Sequence, residues 1–212
     1  MFRAALPLAL IALLSSCVGP PKDRRPVAVA VPVSPELRQC LGGLDRLNAR
    51  YSLVSGNNVG GGCSTLSSIK LTVAGVPITN VTAIQCPLAE ALTQWVQGPV
   101  QIAARRHLGS KVVRIDSFGA YSCRNVIGRA SAAGKRSEHA TANAVDISAF
   151  VLSDGRRVSV LGGWNGKPEE RDFLRAVRAE ACTRFQTVLS PDFNAAHADH
   201  LHFDMGRGPF CR

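Results

Sequence analysis

Seven cysteines in 212 residues constrain this chain more than any other feature, because an odd number cannot pair off. Cys17 stands apart near the N-terminus, while Cys40, Cys63, Cys86, Cys123, Cys182 and Cys211 are spread through the rest. No two of them have the C-x-x-C spacing of a zinc ribbon or a dithiol redox centre, which sets both aside. The compartment then decides what the thiols do. Residues 1–16 open with Met1-Phe2-Arg3 and continue from Ala4 to Ser16 as apolar or small residues interrupted only by Pro7. One positive charge ahead of a short apolar run is the layout of a secretory signal, too short to span a bilayer. Six cysteines in an exported domain read as three disulfides, structural staples whose pairing the sequence leaves open.

The seventh has a separate explanation. Leu14-Ser15-Ser16-Cys17 resembles the lipobox of bacterial lipoproteins, which implies cleavage before Cys17 and lipid on its thiol. Several acyl chains on one residue anchor a protein stably, whereas a single chain binds marginally. Val18, rather than Asp, after the cysteine resembles lipoproteins sorted to the outer membrane, with the domain facing the periplasm. Residues 17–35 carry Pro20, Pro21, Pro26, Pro32 and Pro35 without helical periodicity, the composition of a semi-extended tether.

Export also reframes the charge. The 25 Lys and Arg against 15 Asp and Glu give a formal +10. No nucleic-acid recognition motif and no basic stripe interleaved with aromatics accompanies it, so nucleic acid is not expected as a partner. Anionic lipid headgroups and the carboxylates of a cell-wall polymer are the counter-charges that fit an exported protein.

Residues 36–212 form the folded part, with 46% hydrophobic residues over the chain, enough to bury a core. Glu36 to Asn48 reads as a short helix after Ser34-Pro35, weakened by Gly42-Gly43. The glycine-rich stretch Gly56 to Gly62 lacks the Gly-Lys-Ser/Thr ending of a phosphate loop. Ile69–Val73 and Thr79–Ile84 read as strands about a Gly75-Val76-Pro77 turn. Cys86-Pro87 opens a helix to about Val96, and Pro99 starts a second one ending near Gly109. Val112–Ser117 is a strand, and Ala144–Leu152 with Arg157–Leu161 flank a Ser153-Asp154-Gly155 hairpin turn. Lys167 to Phe185 has the clearest helical period, with Phe173, Val177 and Ala181 on one stripe. Thr187–Leu189 and His200–Met205 close the chain as short strands. Helices and strands mix without a βαβ rhythm, which defines an α+β domain, an antiparallel sheet with packed helices.

Histidine concentrates the chemistry. Of five, three fall within six residues, His197, His200 and His202, and a fourth, His139, precedes Asp146 by seven positions. Side chains alternate along a strand, so His200, His202 and Asp204 share one face, while Leu201, Phe203 and Met205 face the core. Asp146 alternates in the same way with Val145 and Ile147. Catalytic zinc takes three protein ligands and keeps a fourth position for water, and His139, Asp146 and His202 supply two imidazoles and a carboxylate. A proton relay has to stand beside such a site, and Asp199 and His200 are the candidates.

S-x-H-x6-D followed by H-x-H resembles the zinc peptidases that group D-Ala-D-Ala metallopeptidases with lysostaphin-type enzymes and Hedgehog. The longer form S-x-H-x-x-G-x-A-x-D matches at Ser137, His139, Ala144 and Asp146, with Ala142 where glycine is usual. The spacing His197-x-x-His200-x-His202 is similar to that of penicillin-insensitive murein endopeptidases. Residues from about Cys86 to Arg212 resemble the bacterial extensin-like C-terminal domain family, through VVRIDSFGAYSCR, SEHATANAVDIS, FLRAVRAEAC and NAAHADHLHFDM. These resemblances imply a single domain of the Hedgehog/DD-peptidase α+β type with zinc at His139, Asp146 and His202. They imply His200 for polarising or proton transfer and Asp199, in the place of a longer glutamate, as an alternative base. Tyr121-Ser122-Cys123-Arg124 is similar to a segment that binds substrate carboxylate, which makes Arg124 a substrate-binding candidate, alongside His197 and Ser137.

Two functions follow as expectations. One is a zinc metallopeptidase that cleaves stem-peptide or cross-link bonds of peptidoglycan with metal-activated water, as a carboxypeptidase or an endopeptidase. The other is a non-catalytic, zinc-containing peptidoglycan-binding lipoprotein. His200 and Asp199 beside the ligands favour the hydrolase, since a structural zinc is closed by four protein ligands.

Overall fold

In the computed structural model the described residues are 1–2 and 33–212. Residues 3–32, which include Cys17, most of the signal run and most of the tether, lie outside them.

Ser34 accepts the Leu37 N–H at 3.2 Å and caps α1 (Pro35–Arg46). The helix forms across Gly42-Gly43, where a Cβ at Gly43 would meet only the flexible end of the Glu90 side chain. The Cys40–Cys86 disulfide ties this helix to the one that begins at Cys86. Next come β1 (Arg50–Leu53), the short pair β2 (Asn58–Gly60) and β3 (Cys63–Ser64), then β4 (Ser68–Val73) and β5 (Ile84–Gln85). β1, β4 and β5 make a small antiparallel sheet. The strand expected over Thr79–Ile84 shrinks to β5. Asn80 takes a left-handed φ of +62° and sends its amide to the Ser117 carbonyl at 2.9 Å, which breaks an extended run.

α2 (Cys86–Trp95) runs without interruption into a π turn (Val96–Val100), α3 (Gln101–Ala103) and a second π turn (Ala104–Leu108). Pro99 therefore does not start a new helix. It sits inside the wider π turn, where an i→i+5 pattern absorbs a residue lacking an N–H. Gly109, at φ +63°, ends the run as expected.

The main sheet has the order β11-β9-β10-β7-β6, with β8 also paired to β7. Its strands are β6 (Val112–Gly119), β7 (Ala144–Leu152), β8 (Arg157–Ser159), β9 (Thr187–Leu189), β10 (Leu201–Asp204) and β11 (Phe210–Cys211). All pairs are antiparallel except β11 with β9. α4 (Val160–Gly163) follows β8, and α5 (Pro168–Ala181) carries the expected stripe of Phe173, Val177 and Ala181, all buried. The domain is α+β with antiparallel sheets.

One face of the main sheet builds the core. Trp95 from α2 meets Phe203 edge-on at 5.0 Å, and Phe150 meets Phe173 edge-on at 5.0 Å. Phe185 stacks on Phe203 at 4.7 Å. The Trp95 indole N–H donates to the Val177 carbonyl at 2.9 Å, so a large apolar ring is buried without an unpaired donor. The other two disulfides are Cys63–Cys123 and Cys182–Cys211. They pin β3 to the segment after β6, and the end of α5 to β11. Among the described residues no helix is long and apolar enough to cross a membrane.

Candidate metal centre

Strand register brings the polar residues together on the face away from the aromatic core. His202 on β10 lies directly opposite Asp146 on β7, and Gly119 at the end of β6 lies on the other side of Asp146. His139 arrives on a 3-10 turn (Glu138–Thr141) just before β7. Ser137 begins that turn by accepting the His139 N–H at 3.3 Å. Ala142 ends it in the left-handed region at φ +56°, a conformation glycine takes without strain.

The three donors meet. His139 Nε2 is 3.1 Å from Asp146 Oδ2 and 3.2 Å from His202 Nδ1, and His202 Nδ1 is 2.9 Å from Asp146 Oδ1. Four ligands at about 2.0–2.1 Å around a tetrahedral zinc stand about 3.3 Å apart. The 3.2 Å between the two ring nitrogens matches that spacing, and one donor atom from each of the three residues lies within 4.8 Å of the others. His139, Asp146 and His202 are all buried. Hydrogen bonds fix which nitrogen faces inward. The Ala120 carbonyl can only accept, so His139 donates to it from Nδ1 at 2.8 Å and presents a lone pair at Nε2. Asp204 accepts from His202 Nε2 at 2.9 Å, which turns Nδ1 towards the cluster. Both imidazoles thus have the oriented outer partner that metal-binding histidines require.

The electrostatics agree with a site built for a cation. Burial opposes ionisation of Asp146, but hydrogen bonds and charge from His139 and His202 outweigh it and hold the carboxyl well below its ordinary range. Burial likewise opposes charge on His202, yet its bonds to Asp146 and Asp204 lift the imidazole to about 9.

The remaining sequence candidates divide by position. His200 sits beside the triangle, with Nε2 3.5 Å from Asp146 Oδ1, and Phe118 packs edge-on against its ring at 5.8 Å. Asp199 accepts from His200 Nδ1 at 2.8 Å and is half exposed, so it orients His200 from behind. His197 donates from Nδ1 to Asn194 Oδ1 at 2.7 Å, and its ring lies 5.0 Å from that of His200. Burial first, then the charges of His200 and His202, push His197 down to about 4, so it is neutral. Arg124 lies 4.0 Å from Asp146 Oδ2. Arg124, Ser137 and His197 all line a cleft of about 810 Å³ that opens from His139 and His202.

Sequence reasoning did not find Ala120 or Asn194. A carbonyl acceptor carries no residue signature. Asn194, three positions before His197, had the detectable signal of an amide preceding a short turn.

The fold and the cluster define a disulfide-braced α+β domain with a buried two-histidine, one-carboxylate candidate metal site. The family model described as Extensin-like protein C-terminus matches residues 38–212, and the chain belongs to that family. Neither the curated proteins nor the solved structures hold a significant match to the chain.

Proposed function

We propose that this protein is a zinc-dependent peptidoglycan hydrolase with a domain of the Hedgehog/DD-peptidase type, held to the outer membrane by lipid on Cys17. The observation that carries the reading is the three-donor triangle with His200 at its side and an open cleft in front. Among the described residues the cluster offers three protein ligands, the number of a catalytic zinc, where a structural zinc takes four. Zinc held there would lower the pKa of a bound water towards neutrality and polarise a scissile carbonyl.

The chain's own residues do the rest. His200, with Nδ1–H given to Asp199, keeps Nε2 free on the cluster side and can take a proton and return it to the leaving amine. Asp199 positions that imidazole, which favours His200 over Asp199 as the group that moves protons. Arg124 stands where a substrate carboxylate can pair with it at the cleft. His197 is neutral and fixed by Asn194, so its Nε2 is a hydrogen-bond acceptor for substrate.

Digestion of purified sacculi tests the reading. The zinc-loaded protein should release soluble peptide-containing fragments, and chelation or His202→Ala should abolish release. A zinc-loaded preparation that binds sacculi and releases nothing would instead establish a wall-binding lipoprotein.

A further inference from the structure

The cleft in front of the cluster is unbalanced in charge. Arg124, Arg129, Lys135, Arg136 and Arg207 line it, against Glu138 and Asp204. Both carboxylates are already engaged. Glu138 accepts from the Asn143 amide at 2.6 Å, and Asp204 accepts from His202 and from the Gly206 N–H. Arg136 is spent on the Gly61 carbonyl and on Asn125 Oδ1. Arg129, Lys135 and Arg207 are exposed, and among the described residues none of them is paired with a carboxylate.

These three cations come from two separate segments, the loop between β6 and β7 and the turn after β10. The loop is braced rather than loose. Cys63–Cys123 staples its base, the Val126 N–H donates to the Lys135 carbonyl at 2.9 Å, and the Asn194 amide holds the Gly128 carbonyl at 3.0 Å. Like charges facing one space repel, and among the described residues no carboxylate pairs with these three. Exposed Ile127 (59%) and the edge-on pair Phe193 and Phe210 line the same cleft, so an apolar wall accompanies the charge.

We infer that Arg129, Lys135 and Arg207 form a second recognition subsite, apart from the metal cluster and Arg124, for a free side carboxylate of an acidic peptide. Guanidinium forks pair with planar carboxylates through two parallel hydrogen bonds, and an amide in the same place offers one acceptor and no charge. The subsite therefore selects stem peptides whose carboxylates are not amidated. The identity of the peptide rests on the hydrolase reading; the charge selectivity does not.

Calorimetry with zinc-loaded His200→Ala protein, in which the peptide stays intact, tests this. The ligands are an acidic stem tripeptide and its counterpart with the side carboxylate amidated. The free acid should bind about tenfold more tightly, the sum of a few exposed charge contacts, and the margin should narrow as salt is added. An added Arg129→Gln and Lys135→Gln pair should erase most of that preference while leaving zinc affinity and the thermal midpoint in place. Equal binding of the two peptides, or a preference that survives the double substitution, would overturn the subsite. Selective binding, together with no cleavage of either peptide by the zinc-loaded parent protein, would sink the hydrolase reading and leave the subsite standing. Cleavage indifferent to amidation would do the reverse.

Discussion

Asp204→Asn is the most informative single substitution, because it changes no volume and yet removes one of two acceptors. Asp204 is buried and uses both oxygens, accepting from His202 Nε2 at 2.9 Å and from the Gly206 N–H at 2.8 Å. An amide has only one oxygen. If that oxygen keeps Gly206, the NH2 group faces His202 Nε2 and favours the tautomer with its proton on Nδ1, the atom that should hold metal. If the oxygen keeps His202, the Gly206 N–H loses its acceptor, at about 1–3 kcal/mol of stability. Loss of such an outer partner typically weakens metal binding tenfold to a hundredfold, about 1.4–2.7 kcal/mol. Competition with a chromophoric chelator measures that loss, and circular dichroism checks the fold. A correctly folded Asp204→Asn protein with parental zinc affinity would refute the assignment of Nδ1 as the ligand atom and of Asp204 as its positioning partner.

Zinc at about a thousandfold over its dissociation constant should stabilise the domain by about 4 kcal/mol, raising the midpoint about 8–16 °C for a domain of this size. Scanning calorimetry before and after chelation would show it; an unchanged midpoint would contradict the site. In chelated protein the pH dependence has a definite sign. His202, raised from 6.5 to about 9, contributes stability that is full below 6.5 and lost as pH climbs through 9. Asp146, lowered from 3.8, contributes stability that is present above 3.8 and lost only at strongly acid pH. His197, pushed down to about 4 by burial, acts from the other side, costing stability as pH falls from 6.5 towards 4 because only the unfolded chain takes up that proton. Chelated protein should thus melt highest near pH 6.5, whereas zinc, which must displace the His202 proton, should bind more tightly as pH rises. A chelated midpoint that increased from pH 6.5 to 9 would refute the pairing of His202 with Asp146. Cys17→Ser should abolish incorporation of a labelled fatty acid into the protein with zinc affinity unchanged; continued acylation would exclude lipid on Cys17.

Much of the fold was legible where one residue type has one physical use. Alternation on β10 separated Leu201 and Phe203 from His202 and Asp204, and the structure buries the first pair in the core and places the second at the cluster. Six cysteines spoke for three disulfides, but pairing depends on which segments meet in space, and only the fold supplies Cys40–Cys86, Cys63–Cys123 and Cys182–Cys211. Pro99 misled because its usual role at a helix start is a local preference, while the packed run from Cys86 to Leu108 accommodates it in a π turn. Asn80 removed the first part of the expected strand through a side-chain bond to a carbonyl far along the chain, which no local pattern encodes. The clustering of His139, Asp146 and His202 was readable because histidine is scarce here. Its outer partners were partly readable, Asp204 by strand parity and the Ala120 carbonyl not at all.

The most direct test of the account is peptidoglycan digestion in water enriched in heavy oxygen, followed by mass spectrometry of the fragments. Zinc-loaded protein should place one heavy oxygen atom in each newly formed carboxylate, and the same products should vanish after chelation and in Asp146→Ala. The masses would also name the bond that is cut. Fragments without heavy oxygen, cleavage that persists without metal, or no cleavage by fully zinc-loaded protein would contradict a metal-dependent peptide hydrolase.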